Sequence, residues 1–261
     1  MVTLGDERPA RPMLDALRAR IGRIERGQRV PRVLPLGAPA LDARLPGGGL
    51  ALGALHEVEG ARAEWDDGVA AGFCLALVAP LAAALDGPLL WIARRPDLYG
   101  GGLAALGLDP ARFVFVRADG DRDVLWAMEE GLRCAALGAV VGEVGELAPT
   151  AGRRLQLAAE ASGVTAFLLR RRFAPARLAE PPGVASTRWR VAPLPSGPAP
   201  LEDLPGRPRW RVELRRCRGA APGDFLVEWN DASGGIALAA ALRDGPLAAQ
   251  PAAGGGARLA G

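Results

Sequence analysis

The chain is predicted to be an α/β domain with a mainly parallel central sheet flanked by helices, an antiparallel C-terminal extension of that sheet, and a protruding N-terminal helix. Three features carry this prediction. From residue 50 onward apolar strands alternate with helical segments, the pattern of a parallel sheet with helical crossovers. Beyond residue 186 the segments become short and alternating and are joined by Pro- and Gly-rich loops, as antiparallel strands require. Before residue 32 lies a narrow apolar stripe on an otherwise charged helix. With 261 residues, 49% of them hydrophobic, one main domain is expected at 33–243, with an N-terminal helix and linker at 1–32 and a flexible Ala/Gly-rich tail at 244–261.

In chain order, Leu14, Leu17, Ile21 and Ile24 recur at intervals of three, four and three among Asp15, Arg18, Arg20, Arg23, Glu25 and Arg26. This stripe has the width of a coiled-coil seam, which favours a partner, while packing on its own domain is the plainer alternative. Gly27 suits the end of that helix, and RVPRVLP reads as an extended linker. The core then predicts strands at 52–58, 88–93, 112–117, 139–144 and 164–169, separated by helices at 69–85, 101–106, 121–137 and 150–162. The antiparallel strands are expected at 187–193, 209–217, 224–229 and 236–241.

All 32 basic residues are arginine, so no position can supply a phosphate-loop lysine or a lysine Schiff base. Cys74, Cys134 and Cys217 have no CxxC spacing and read as buried structural thiols, and His56 is the one histidine, so neither a zinc site nor a hydrolase triad is expected. The apolar run from Val69 to Leu85 contains Pro80 and falls short of a membrane span, and the N-terminus lacks a secretory apolar region, which together predict a cytoplasmic protein without membrane contact. A net charge of +3 permits nucleic-acid contact without requiring it.

Residues 41–60, LDARLPGGGLALGALHEVEG, lead up to a nucleotide-binding loop, and then the loop departs. Where Gly, Lys and Ser or Thr would follow, the chain has Trp65, Asp66 and Asp67. The order of elements, together with LGLDPARFVFVRADGDRDVLWAMEEGLR, AVVGEVGEL, VTAFLLRRR and RWRVELRRCRGAAPGDFLVEWNDASGG, resembles the RecA recombinase core over roughly residues 11–236. Within that superfamily LPGGGLALGALHEV, MEEGLR and GRRLQLAAEASGVTAFLLRR are most similar to the ImuA family, the RecA-like members of the bacterial damage-induced mutagenesis cassette.

The resemblance implies a partnership with ImuB, a Y-family-like protein lacking polymerase activity, and with an error-prone DNA polymerase in SOS-induced translesion synthesis. It also implies that the N-terminal helix docks on another RecA-like subunit, whether RecA or a second copy, or on ImuB. The departures imply no cofactor and no ATPase. Gly60, Trp65, Asp66 and Asp67 form a degenerate phosphate loop, Gly142 stands on the Mg²⁺-associated aspartate position with Glu143 one residue late, and Arg94 stands near the water-activating glutamate. The alternatives are a SulA-like cell-division inhibitor and a weak DNA-stimulated ATPase using Glu143.

Arg170, Arg171 and Arg172 end a parallel strand, where open α/β sheets place ligands, and are the candidates for weak contact with DNA; a solvated strand end is the alternative. Arg188-Trp189-Arg190 and Arg209-Trp210-Arg211 continue alternating faces and read as half-buried strands rather than base-stacking sites. Asp119, Asp121, Asp123 and Glu130 match calcium-loop positions, but Val124 replaces the required glycine and a capped helix start is the better reading.

Overall fold

The strand β3 (Leu55–Gly60) is buried at every residue but the last, because parallel strands pair on both sides of it and helices cover both faces. The computed structural model describes residues 32–62, 65–95, 97–171, 183–196 and 206–241. The N-terminal stripe of Leu14, Leu17, Ile21 and Ile24, together with Arg172 and the tail, lies outside the described residues. Among the described residues, nine strands form one sheet in the order β11-β10-β9-β8-β3-β7-β6-β4-β5. Here β4 is Leu89–Ala93, β5 Phe113–Arg117, β6 Ala139–Val144, β7 Thr165–Arg170, β8 Thr187–Pro193, β9 Arg209–Cys217, β10 Gly223–Asn230 and β11 Gly235–Ala241. Pairing is parallel from β8 across to β5, and antiparallel from β8 out to β11.

Alternation in the strands sorts the helices onto two faces. One face carries Val58, Trp91, Val141, Phe167, Trp189, Val212 and Val227 and is covered by α2 (Asp67–Ala84) and α3 (Gly100–Ala105). The other carries Leu55, Ile92, Val140 and Leu168 and is covered by α4 (Asp121–Leu132) and α5 (Pro149–Ser162). Helix α2 is apolar all round and long enough to cross a membrane, but most of it lies inside the core. Phe73 from α2 meets Trp189 and Trp210 edge-on, with ring centroids 5.8 and 5.9 Å apart. The two Arg-Trp-Arg segments are therefore strands with their indoles in the core, as the alternation predicts.

Two features depart from expectation. The helix expected to reach residue 137 ends at Leu132, and Cys134, expected to be buried, is exposed in the turn that follows. That turn is forced by a close crossing, since a Cβ at Gly87 would lie 2.3 Å from the carbonyl oxygen of Ala136. Residues before β3 form a short helix α1 (Pro39–Asp42) and a two-stranded hairpin of β1 (Val33–Leu34) and β2 (Leu50–Ala51), none of which has enough length to show a period in sequence. The Asp42 carboxylate accepts the amides of Leu36 and Gly37 at 2.8 and 3.2 Å and ties this segment down. At the far end of α2, the Arg112 guanidinium donates to the carbonyls of Ala82, Leu85 and Gly87, satisfying groups that a helix C-terminus leaves open.

Candidate functional site

Because β3 to β7 are parallel, their carboxyl ends share one edge of the sheet. The chain passes from β3 over β7 and β6 to reach β4, a reversal of strand order that opens a crevice at that edge. A cleft of about 260 Å³ lies there, lined by Asp67, Arg94, Arg95, Arg117, Asp119, Glu143 and Arg171 together with Ala118, Val144 and Gly145.

The loop from β3 to α2 is closed from inside. The Asp66 side chain is 1% exposed. Its Oδ2 accepts the Arg62 backbone amide at 2.9 Å, its Oδ1 accepts Arg62 Nη2 at 2.8 Å, and Nε donates to both oxygens at 3.2 Å. Gly60 makes room for this, because a Cβ there would sit 2.9 Å from the Asp66 Cβ. An internal carboxylate thus takes an amide that a phosphate-binding loop would offer to its ligand. Trp65, which stands on the glycine position of the degenerate loop, adds no bulk inside it, because the side chain turns outward and is 82% exposed. Asp67 opens α2, lines the cleft and adds to the field that keeps Arg171 charged.

In β6 the register decides which residue faces the cleft. Gly142 faces α4, where a Cβ would stand 2.2 Å from Met128 Sδ, so a carboxylate at this position would have to displace the Met128 side chain and would be aimed into the apolar layer under α4 rather than into the cleft. Glu143 faces the cleft instead and is 3% exposed. Its Oε1 accepts Trp91 Nε1 and Arg171 Nη2, each at 3.1 Å, and Arg171 Nε lies 3.0 Å from Oε2 without the alignment of a hydrogen bond. The same guanidinium reaches Asp97, with Nη1 2.6 Å from Oδ2 and Nη2 3.1 Å from Oδ1. Burial pushes the Glu143 carboxyl up to about 7; Arg171 opposes that rise and Asp97 reinforces it. Burial also works against the charge of Arg171, but the hydrogen bond to Asp97 and the fields of Glu143 and Asp97 overcome it, so the guanidinium is held above its usual range.

Arg170 and Arg171 are therefore brought to the cleft edge already engaged. Arg170 Nη2 donates to the Gly145 carbonyl at 3.2 Å and Nη1 lies 3.7 Å from Glu57, which Arg188 Nε also contacts at 3.0 Å. A phosphate approaching Arg170 or Arg171 meets side chains only 11% and 15% exposed. Sequence reasoning did not single out Asp97, or Arg95 and Arg117 as cleft residues, although Arg94-Arg95 and Arg117 end strands just as Arg170 does.

His56 is a packed core residue. Its Nε2 donates to the Ala51 carbonyl at 2.8 Å, which leaves Nδ1 to accept from the Thr187 hydroxyl at 2.7 Å, and burial pushes its pKa down to about 4. Asp121, weighed as a calcium ligand, accepts the amides of Gly145 and Glu146 at 3.1 and 3.0 Å and so anchors the loop between β6 and α5.

No family model matches the chain. Over 236 residues it is 42% identical to Protein ImuA of Caulobacter vibrioides, in strains NA1000 and CB 15 alike, and the match covers 87% of this chain and 97% of the relative.

Proposed function

The chain belongs to the ImuA family, and from that premise we propose that it is a non-catalytic RecA-like accessory protein of damage-induced translesion DNA synthesis, working in the cytoplasm with ImuB and an error-prone DNA polymerase. One observation supports the non-catalytic part above the others. The loop that would hold phosphate is filled by the Asp66 carboxylate, which takes the Arg62 amide for itself. Two unit charges of the same sign 4 Å apart repel by about 4 kcal/mol at a surface-like dielectric, so a triphosphate would have to expel this carboxylate before it could bind. Glu143, the residue that could serve a metal or a water, is occupied by Trp91 and Arg171.

The protein then acts by presenting surfaces rather than by making bonds. Calorimetry with Mg·ATP, in the presence and absence of single-stranded DNA, should give no micromolar binding; such binding, or turnover abolished by Glu143→Gln, would overturn the assignment. The docking element is the stripe of Leu14, Leu17, Ile21 and Ile24. Burying one leucine contributes roughly 1.5 to 3 kcal/mol, so Leu17→Asp should weaken association with ImuB at least about tenfold. A melting temperature that drops while association stays unchanged would return the helix to its own core. Recovery of a tubulin-like division protein, rather than ImuB, in a pull-down from damaged cells would favour the SulA-like alternative.

A further inference from the structure

We propose that the rim formed by the ends of β4 and β5 and their following loops binds single-stranded nucleic acid, with Arg94, Arg95 and Arg117 on the phosphodiesters, Tyr99 beside them as a base-stacking surface, and Trp65, on the loop after β3 along the same sheet edge, as a second. The inference extends the accessory reading above without depending on ImuB docking. Ala93 and Arg117 are in register on neighbouring strands, so Arg94, Arg95 and Arg117 stand together where β4 and β5 end. All three residues are exposed and line the same cleft, and no acidic partner holds any of them among the described residues. Beneath them the one further cation of the cleft, Arg171, is already shared between Glu143 and Asp97 in a floor that also carries Asp67, so it has little left to offer an anion. The cationic character of the rim thus belongs to residues free to use it.

The aromatic side chains decide between nucleic acid and a simpler anion. Trp65 and Tyr99, at 82% and 80%, are the most exposed large apolar side chains described, and both stand on loops at this edge. Trp65 lies two residues before Asp67, which lines the cleft, and Tyr99 two residues after Asp97, which holds Arg171. The Tyr99 ring is seated on the glycines that open α3, since a Cβ at Gly101 would come within 2.5 Å of its Cε1. The rest of the ring is open to solvent. Guanidinium groups that track a backbone beside open aromatic faces are the means by which proteins hold single strands without reading sequence. A duplex, whose bases are already stacked, offers these rings nothing.

The test is fluorescence anisotropy of the full chain with a labelled oligothymidylate at several salt concentrations. Arg94→Ala/Arg95→Ala/Arg117→Ala should weaken binding at least tenfold and reduce the slope of log affinity against log salt by about 2, given roughly 0.7 per phosphate contact on a single strand. Tyr99→Ala keeps every arginine in place and should cost at least fivefold, which preserves the test if the triple variant fails to fold. ImuB association, measured on the same proteins, should not change, so failure of this proposal and failure of the docking proposal are separate results. Unchanged affinity and salt slope in the triple variant would overturn the proposal, as would equal binding of a duplex of the same length, or displacement of the oligonucleotide by micromolar Mg·ATP.

Discussion

The loop between β3 and α2 and, across β7 and β6, the ends of β4 and β5 share one edge of one sheet and both carry arginine, yet an approaching anion meets opposite situations. At the first, Arg62 and its own backbone amide are taken by Asp66. At the second, Arg94, Arg95 and Arg117 face the cleft with no carboxylate engaged to them among the described residues. The same contrast recurs within the cleft, where Arg171 is locked by Glu143 and Asp97 while its neighbours are open. In a chain whose basic residues are all arginine, the number of cations says little about where an anion can bind. Ion pairing within the fold decides which of them remain available.

The contrast can be broken at its locked side first. Arg171→Ala takes the shared cation from Glu143 and Asp97. Because Glu143 then keeps its proton at neutral pH, the cost should stay below the roughly 3 to 5 kcal/mol of a buried pair broken with its charge intact, and should grow as pH rises above 7. Urea unfolding should show this as a shifted midpoint; a loss below about 1 kcal/mol would mean that the network is not the clamp described.

The second test uses pH. Glu143 titrates near 7 when folded and near the usual carboxyl value, about 4.3, when unfolded, so the folded state binds more protons in that window and stability falls as pH rises through it. His56 titrates near 4 when folded and about 6.5 when unfolded, so its contribution is present above 6.5 and is lost as pH falls toward 4. Between roughly pH 4.5 and 6.5 these slopes oppose each other. Glu143→Gln removes one of them and should make stability rise with pH by about 1.4 kcal/mol per unit more steeply than in the parent. Identical slopes in the two proteins would show that the Glu143 carboxyl is not held up by its surroundings.

Smaller effects follow at the closed loop and at the open rim. Asp66→Ala leaves the part-buried Arg62 amide to water in place of its carboxylate acceptor and should lower the melting temperature modestly. Arg94→Ala/Arg95→Ala/Arg117→Ala removes exposed groups that hold no carboxylate among the described residues and should change stability by no more than about 0.5 kcal/mol. If the rim variant were the less stable of the two, the distinction between engaged and available arginines would be reversed.

Much of this architecture was readable in advance because burial leaves a period. The strands β8 and β9 have the bounds that alternation alone predicts, since each has one face under α2 and one face open. The family resemblance, carried by phrases spread along the chain, agrees with the 42% identity to ImuA. Less legible were features set by close approach. The length of α4 depended on a backbone crossing near Gly87, and the side chain opposite Gly142 belongs to a helix residue fourteen positions earlier, Met128.

The sequence by itself determined the alternation of strands and helices, the antiparallel wing, the absence of any lysine, and the presence of carboxylates where a phosphate loop would carry cation and hydroxyl. These are properties of composition and local period, and the chain displays them without folding. Only the tertiary structure decided that Asp66 turns inward while Trp65 turns outward, that Glu143 rather than Gly142 faces the cleft, and that Arg171 is engaged while Arg94, Arg95 and Arg117 are not. The reason is range. Asp97, Glu143 and Arg171 lie on three separate segments, and their charges interact only once β4, β6 and β7 are laid side by side, so the electrostatics of the site comes into being with the sheet.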